Sequence, residues 1–370
     1  MTATTSPVTP VVTAPLSFTN GRPFVEVTLG GKGPFRFMIE TGCDCISISP
    51  QVAAAAAGLE ALTDDDLFRV GETRIDSLYR VSDLRIGGAR LADFTAGVDI
   101  ALGVDGILGL PAFTELLLTL DYPRSQLRLE KGELPPPDGK QILAVRPIVG
   151  PFLGFDLMIG GKPVPSIIDT QSGLGLSLST ELAETLRFES EPVQTGSVLM
   201  GGVVSAPVKT GRLADDIRIG EFTLQKQLAE VISHPPDRPR KGNIGARILS
   251  HFTLTLDQKN RRVRFSREGS RVIPPPPPYR TFGLTLRAQR GGQVAIVDVQ
   301  PGGPAAEAGL KAGDVVVRFG DTPAGALPVA GGTPQASVNA YANRGEPVSV
   351  EVLRQGVPAT TTLHSRVVVP

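Results

Sequence analysis

Two acidic residues stand where an acid is costly. Glu40 closes the run Met38-Ile39-Glu40-Thr41-Gly42, and Asp169 closes Ile167-Ile168-Asp169-Thr170-Gln171. A carboxylate at the end of a buried strand must be hydrogen-bonded or employed in chemistry to offset its lost hydration. The other reactive side chains do not form competing constellations. Three histidines, His234, His251 and His364, are scattered, and no HExxH is present. His251 precedes an apolar strand and reads as structural. Cys43 and Cys45 flank the first acid without the partner Cys or His pairs of a metal site. On a strand they would lie about 6.5 Å apart, near the upper limit for a disulfide. They are therefore expected to be reduced thiols, which leaves the cellular compartment open. No G-x-S-x-G elbow occurs. Gly30-Gly31-Lys32-Gly33 lacks the spacing of a phosphate loop and reads as a hairpin turn. No metal, nucleotide or other cofactor is expected.

The elements that must position these acids come in two copies. Residues 106–129 (GILGLPAFTELLLTLDYPRSQLRL) align with 242–265 (GNIGARILSHFTLTLDQKNRRVRF) at an offset of 136. Upstream, DLRIGGARL (83–91) answers DIRIGEFTL (216–224), and FRFMIETGCDCISIS (35–49) answers PSIIDTQSGLGLSLS (165–179). Three blocks in one order, with drifting offsets, are what a duplication with loop insertions leaves. Short Val/Ile/Leu/Phe runs ending at Gly-Gly, Gly-Lys or Asn-Gly predict strands and hairpins in both copies. An Ala-rich helix is expected from Pro50 to Gly58. A shorter one is expected over TELAETLRF, with Thr180 as its N-cap.

With these residues in place, residues 16–268 resemble the pepsin and retropepsin kind of aspartic peptidase. Each lobe of that family contributes one Asp-Thr/Ser-Gly loop, crossed behind by an apolar-apolar-Gly segment. Ile107-Leu108-Gly109 fits the second element in the first copy, and Asn243-Ile244-Gly245 fits it loosely in the second. The resemblance implies a catalytic dyad of Glu40 and Asp169, supported by Thr41, Gly42, Thr170, Gln171 and Ser172. Two facing carboxylates cannot both ionise cheaply, so the pair would hold one proton and one water. The ionised member would deprotonate the water as it attacks a peptide carbonyl, and the protonated member would stabilise the oxyanion. Thr41 and Thr170 would bond across the lobes. A hairpin flap would close over substrate, with Val70-Gly71-Glu72 or Met200-Gly201-Gly202 as candidate tips.

The sequence departs from the family pattern twice. Glu40 stands where the family has Asp, a methylene too long, so Glu40→Asp is expected to raise kcat. Gln171 stands where the family has Gly, and would be strained if that position needed φ > 0. The alternative reading is a catalytically degenerate pseudo-peptidase that acts as a peptide-binding protein.

From Tyr279 the pattern changes. Phe282-Gly283-Leu284-Thr285-Leu286, a strand at Val294–Val299, and PGGPAAEAGLKAGDVVVRFGD (301–321) resemble a bacterial PDZ domain. Pro304-Ala305-Ala306 would open a short helix and Val315–Phe319 would be a strand. Residues Thr333–Arg344 would be the groove helix and Val348–Arg354 the last strand. The carboxylate-binding loop of that family maps to Gly283, Leu284, Thr285 and Leu286, which would hold a peptide C-terminus as it adds as a strand. Leu284, Leu286 and Val338 are expected to face the groove.

The bulk properties fit a mainly β chain of two peptidase-like lobes and a PDZ domain. There are 42 glycines, 33 prolines and no tryptophan. Lys plus Arg equals Asp plus Glu at 37 each, which argues against nucleic acid as the partner. No apolar run reaches the roughly 20 residues of a membrane span. The expected division is a disordered leader at 1–15, lobe one at 16–133, lobe two at 141–268, a Pro-rich linker at 269–279, and the PDZ domain at 280–370. The five-proline run within the linker reads as a stiff spacer. The start has no basic or long apolar segment of a signal peptide. If the natural start is missing, an exported or periplasmic location remains open. A monomer is expected, binding a polypeptide between its lobes.

Overall fold

The computed structural model describes residues 11–43, 45–56, 59–62, 77–91, 93–98, 104–149, 152–173, 175–200, 204–233, 242–289, 293–327 and 334–370. The fold is mainly β. Two large curled sheets repeat one strand order. In the first, Ile46–Ile48, Gly106–Gly109, Lys32–Glu40, Arg22–Leu29 and Leu84–Ile86 lie side by side. In the second, Leu176–Ser179, Gly242–Ile244, Lys162–Ile168, Phe152–Ile159 and Ile217–Ile219 do the same. Turns with two residues at positive φ join the long hairpins, Gly30-Gly31 in one copy and Gly160-Gly161 in the other. Their twist matches that of the flanking strands.

A six-stranded sheet ties the copies together, ordered Val12–Pro15, Gln126–Glu130, Leu117–Asp121, Thr253–Asp257, Arg262–Ser266, Ile142–Ala144. At its centre Thr119 pairs with Thr255, and their hydroxyls lie 3.0 Å apart. These two residues are separated by 136 positions, the offset of the sequence repeat, so the pseudo-twofold axis passes between them. One hydrophobic core runs through both copies, from Phe37, Leu108 and Phe113 to Leu254 and Phe265. Phe252 packs edge-on against both Phe222 and Phe265.

The helices are shorter than their sequence patterns. The first spans Pro50–Ala55, capped by the Ser49 hydroxyl accepting from Val52 N–H at 3.2 Å. The second spans only Thr180–Ala183, and its N-cap position is Ser179 rather than Thr180, because Thr180 already has helical geometry.

The C-terminal segment builds a separate core around Phe282, Leu284, Phe319, Val338 and Val350. Its strands are Leu284–Ala288, Val294–Val299, Val315–Phe319, Val348–Arg354 and Val357–Leu363, with helices Pro304–Glu307 and Gln335–Arg344. The proline run does not stand free as a spacer. The Arg212 guanidinium donates to the Pro276 carbonyl at 3.1 Å, to Lys226 at 2.9 Å and to Pro370 at 2.5 Å. Tyr279 and Val369 pack on Leu228 of the second copy. The strand Arg366–Val369 pairs with Tyr279–Thr281, so both ends of this segment are anchored against the body built by the two copies.

Candidate active site

Glu40 ends its strand and Asp169 directly follows its own, and a Gly-bearing segment runs parallel to each strand. Glu40 is paired with Gly109, and Ile168, just before Asp169, with Ile244. Both acids are 7% exposed. The loops after them interlock through their threonines. Thr41 N–H donates to the Thr170 hydroxyl (3.1 Å), and Thr170 N–H donates to the Thr41 hydroxyl (3.2 Å). Each hydroxyl then donates to a carbonyl of the opposite strand, Thr41 to Ile168 (2.9 Å) and Thr170 to Ile39 (2.6 Å). Both side chains are fully buried, so every one of these groups would be orphaned without its partner.

This clasp brings the two loops into contact. A Cβ added to Gly42 would lie 2.7 Å from Asp169 Cγ, closer than real side-chain atoms come. Gly42 is therefore a steric requirement. The corresponding Gln171 is not strained by its backbone: among the described residues the positive-φ non-glycines are Asn20, Ser125, Lys226, Arg261 and Gln355. The expected penalty for Gln at that position does not arise through φ.

Asp169 is held at both oxygens. Oδ1 accepts from Gln171 N–H at 2.9 Å and from Ser172 N–H at 3.1 Å, and Oδ2 accepts from Asn243 Nδ2 at 2.7 Å. Each carboxylate oxygen can take two donors, so Oδ2 retains room for another. Asn243 is the polar residue that made the second crossing segment a loose match, and that irregularity was the only signal for its role.

Arg22 was not legible in the sequence. It follows the Asn20-Gly21 turn of the first copy, and that turn is pressed into the second. A Cβ on Gly21 would lie 3.0 Å from Ala246 Cβ, and one on Gly173 would lie 3.3 Å from the Asn20 carbonyl. Arg22 Nε donates to the Gln171 carbonyl, and Nη1 is buried without a hydrogen-bond partner among the described residues. Burial lowers the guanidinium's pKa from its ordinary value, and Asp169 and then Glu40 act to raise it again. Tyr122 also borders the site. Burial, and secondarily Asp169, push its phenol well above the ordinary value.

The cysteines are not the reduced thiols expected. Cys43 and Cys45 form a disulfide with a Cα–Cα distance of 5.3 Å. The estimate of about 6.5 Å assumed extended strand. Thr41-Gly42 instead form a turn, and the strand resumes only at Ile46, which brings the Cα atoms within the ordinary disulfide range.

Both candidate flap tips, Val70-Gly71-Glu72 and Gly201-Gly202, fall outside the described residues, as does Thr333. The strands on either side of the second tip, Val193–Met200 and Val204–Arg212, pair as a hairpin. No cluster of three or more His, Cys, Asp or Glu able to hold a metal exists among the described residues.

In the C-terminal domain only Gly283 of the expected carboxylate loop lies in a loop, with φ +69°. Leu284, Thr285 and Leu286 belong to the edge strand Leu284–Ala288. Leu284, Leu286 and Val338 are buried in the domain core. The free edge of that strand is covered by Gln335. Its Nε2 donates to the Leu284 carbonyl (3.1 Å), and its Oε1 accepts from Leu286 N–H (2.8 Å). Thr285 meets the hairpin of the second copy, its hydroxyl 3.3 Å from both Ser197 N and Oγ.

Residues 25–112 match the family model described as aspartyl protease, a span containing Glu40-Thr41-Gly42 and Ile107-Leu108-Gly109. Residues 281–364 match the model of the PDZ domain. No curated protein matches the chain.

Proposed function

With an aspartyl protease-like domain and a C-terminal PDZ domain on one chain, we propose that the protein hydrolyses peptide bonds with Glu40 and Asp169 as a shared-proton pair. The observation that carries this reading is the reciprocal Thr41–Thr170 clasp. It seats two acid-bearing loops face to face, with the Gly42 backbone against Asp169. On this reading the pair holds a single proton, as facing buried carboxylates share in general. The ionised member takes a proton from water as the water attacks the peptide carbonyl. The protonated member donates to the developing oxyanion. The polypeptide lies between the lobes, and the protein acts as a monomer because the duplication supplies both halves.

The PDZ domain receives a peptide C-terminus along the Leu284–Ala288 edge by strand addition, with Gly283, Leu284, Thr285 and Leu286 as its contacts. Gln335 already pairs with the backbone groups that an added strand would use, so a peptide must displace it. The Thr285–Ser197 contact supports a regulatory role, because it joins that same strand to the lobe-two hairpin.

The rival reading, a pseudo-peptidase that binds peptide without cutting, draws on Glu40 and Gln171. One experiment separates the two. The full chain is incubated with a denatured protein from pH 3 to 7, with and without a transition-state-mimicking aspartic peptidase inhibitor. Cleavage with an acidic optimum, blocked by the inhibitor and lost in Asp169→Ala, supports the enzyme. Peptide binding with no cleavage at any pH supports the binder.

A further inference from the structure

We propose that Glu40 and Gln171 are a matched pair, in which the extra methylene of the acid answers the side chain that Gln171 carries where the other loop has Gly42. The proposal takes from the peptidase reading only that the two acids face each other across the pseudo-twofold axis. That axis is well marked. Thr119 meets its own repeat partner Thr255, and the two threonine N–H bonds of the clasp differ by 0.1 Å, 3.1 against 3.2 Å. Position 42 thus corresponds to 171, and 169 to 40.

A Cβ at position 42 would stand 2.7, 2.9 and 3.0 Å from Asp169 Cγ, Oδ1 and Cβ. Carried across the axis, a Cβ at position 171 falls on the place where an aspartate at position 40 would put its carboxyl. Gln171 has that Cβ and cannot retreat. Its N–H is tied to Asp169 Oδ1 at 2.9 Å, and its carbonyl is tied to Arg22 Nε from the opposite lobe. The acid must therefore be the partner that differs. Glutamate carries the same Cβ and Cγ, so it clears Gln171 by turning χ1, and its extra methylene, about 1.5 Å long with one more torsion, brings the turned carboxyl back toward the site. An aspartate that turns χ1 in the same way has no further carbon with which to bring its carboxyl back. The two departures from the family pattern then have one cause, and the site is adapted around glutamate. Gln171 acts as a positioning residue through Glu40.

The test is a double-mutant cycle in the full chain: parent, Glu40→Asp, Gln171→Gly and the double variant, with Glu40→Asp/Gln171→Ala as control. The sequence alone points to a gain from Glu40→Asp. With Gln171 in place, Glu40→Asp alone is expected instead to lower kcat, by about tenfold to a hundredfold, the latter being what a misplacement of about 1 Å can cost. Gln171→Gly added to it should restore kcat to within a few-fold of the parent. Gln171→Ala keeps the Cβ and should not rescue. Thermal melts of the same set give a readout independent of cleavage, in which Gln171→Gly relieves the Tm loss of Glu40→Asp. Additive effects in the melts, or equal rescue by alanine and glycine, overturn the pairing. So does a rise in kcat from Glu40→Asp alone. If the parent cleaves nothing, the peptidase reading fails and the melts still decide the pairing.

Discussion

The two lobes build the same loop and secure it differently. In lobe one, Leu110 N–H donates to the Cys43 carbonyl (3.2 Å) and Gly109 N–H to Cys45 (3.0 Å). In lobe two, Ala246 N–H donates to Ser172 (2.7 Å) and Gly245 N–H to Gly175 (2.8 Å). The equivalent acceptors are two residues apart in lobe one and three apart in lobe two, and only the shorter loop is cross-linked by Cys43–Cys45. Lobe two compensates with polar contacts: Asn243 on Asp169 and, from lobe one, Arg22 on Gln171. The same asymmetry appears one strand out. Gly97 pairs with Ser47 in lobe one, and the buried Glu230 pairs with the equivalent Ser177 in lobe two. The comparison teaches that duplication held the threonine clasp and the crossing glycines constant. The means of holding each acid were free to diverge.

The sharpest break of that comparison is at the acids. Asp169→Ala should lower kcat by about a thousandfold, within the span of general acid–base contributions. A variant as active as the parent removes Asp169 from the chemistry. At the clasp, Thr41→Val and Thr170→Val each leave a buried N–H and a carbonyl without a partner. Each should cost about 1–3 kcal/mol, and the two losses should be nearly equal. Each hydroxyl makes its own two bonds, but all four close one contact between the loops. The second loss therefore falls on a contact already loosened, and the double variant should lose less than the sum. Denaturant or thermal melts check both statements, and strongly unequal losses would show the clasp is less symmetric than its geometry.

A third prediction concerns Glu230, which lobe one lacks. Burial raises its carboxyl to about 7, with Arg247 acting weakly the other way. A raised folded-state pKa favours the neutral acid, so its contribution is whole below about 4.5, the ordinary glutamate value. It is lost as pH rises through about 7. Melting temperature should therefore fall over that window, and Glu230→Gln should flatten the fall. An unchanged slope in that variant assigns the pH dependence to other groups. The smallest effect is expected in the PDZ domain. Gln335→Ala uncovers the Leu284–Ala288 edge and should tighten binding of a Val- or Leu-ending peptide by a few-fold, read by calorimetry on the full chain. Weaker binding would make Gln335 a peptide contact.

The sequence by itself determined the repeat, the two acid-Thr loops, the crossing segments and the order of the C-terminal elements. These are local patterns: alternating apolar residues, paired turn glycines, and a Gly wherever backbone crosses backbone. It located the threonine pair because both members sit beside their acids. Only the tertiary structure decided what surrounds the acids. Arg22 and Gln171 are 149 residues apart, and Asn243 and Asp169 are 74 apart, so no local pattern joins them. The turn that draws Cys43 and Cys45 together departs from strand geometry by about an ångström, which spacing alone does not encode. The proline run looked like a spacer because its composition is stiff and polar-poor. Its carbonyls are nevertheless ready acceptors, and the Arg212 guanidinium binds one of them while anchoring the chain's last residue.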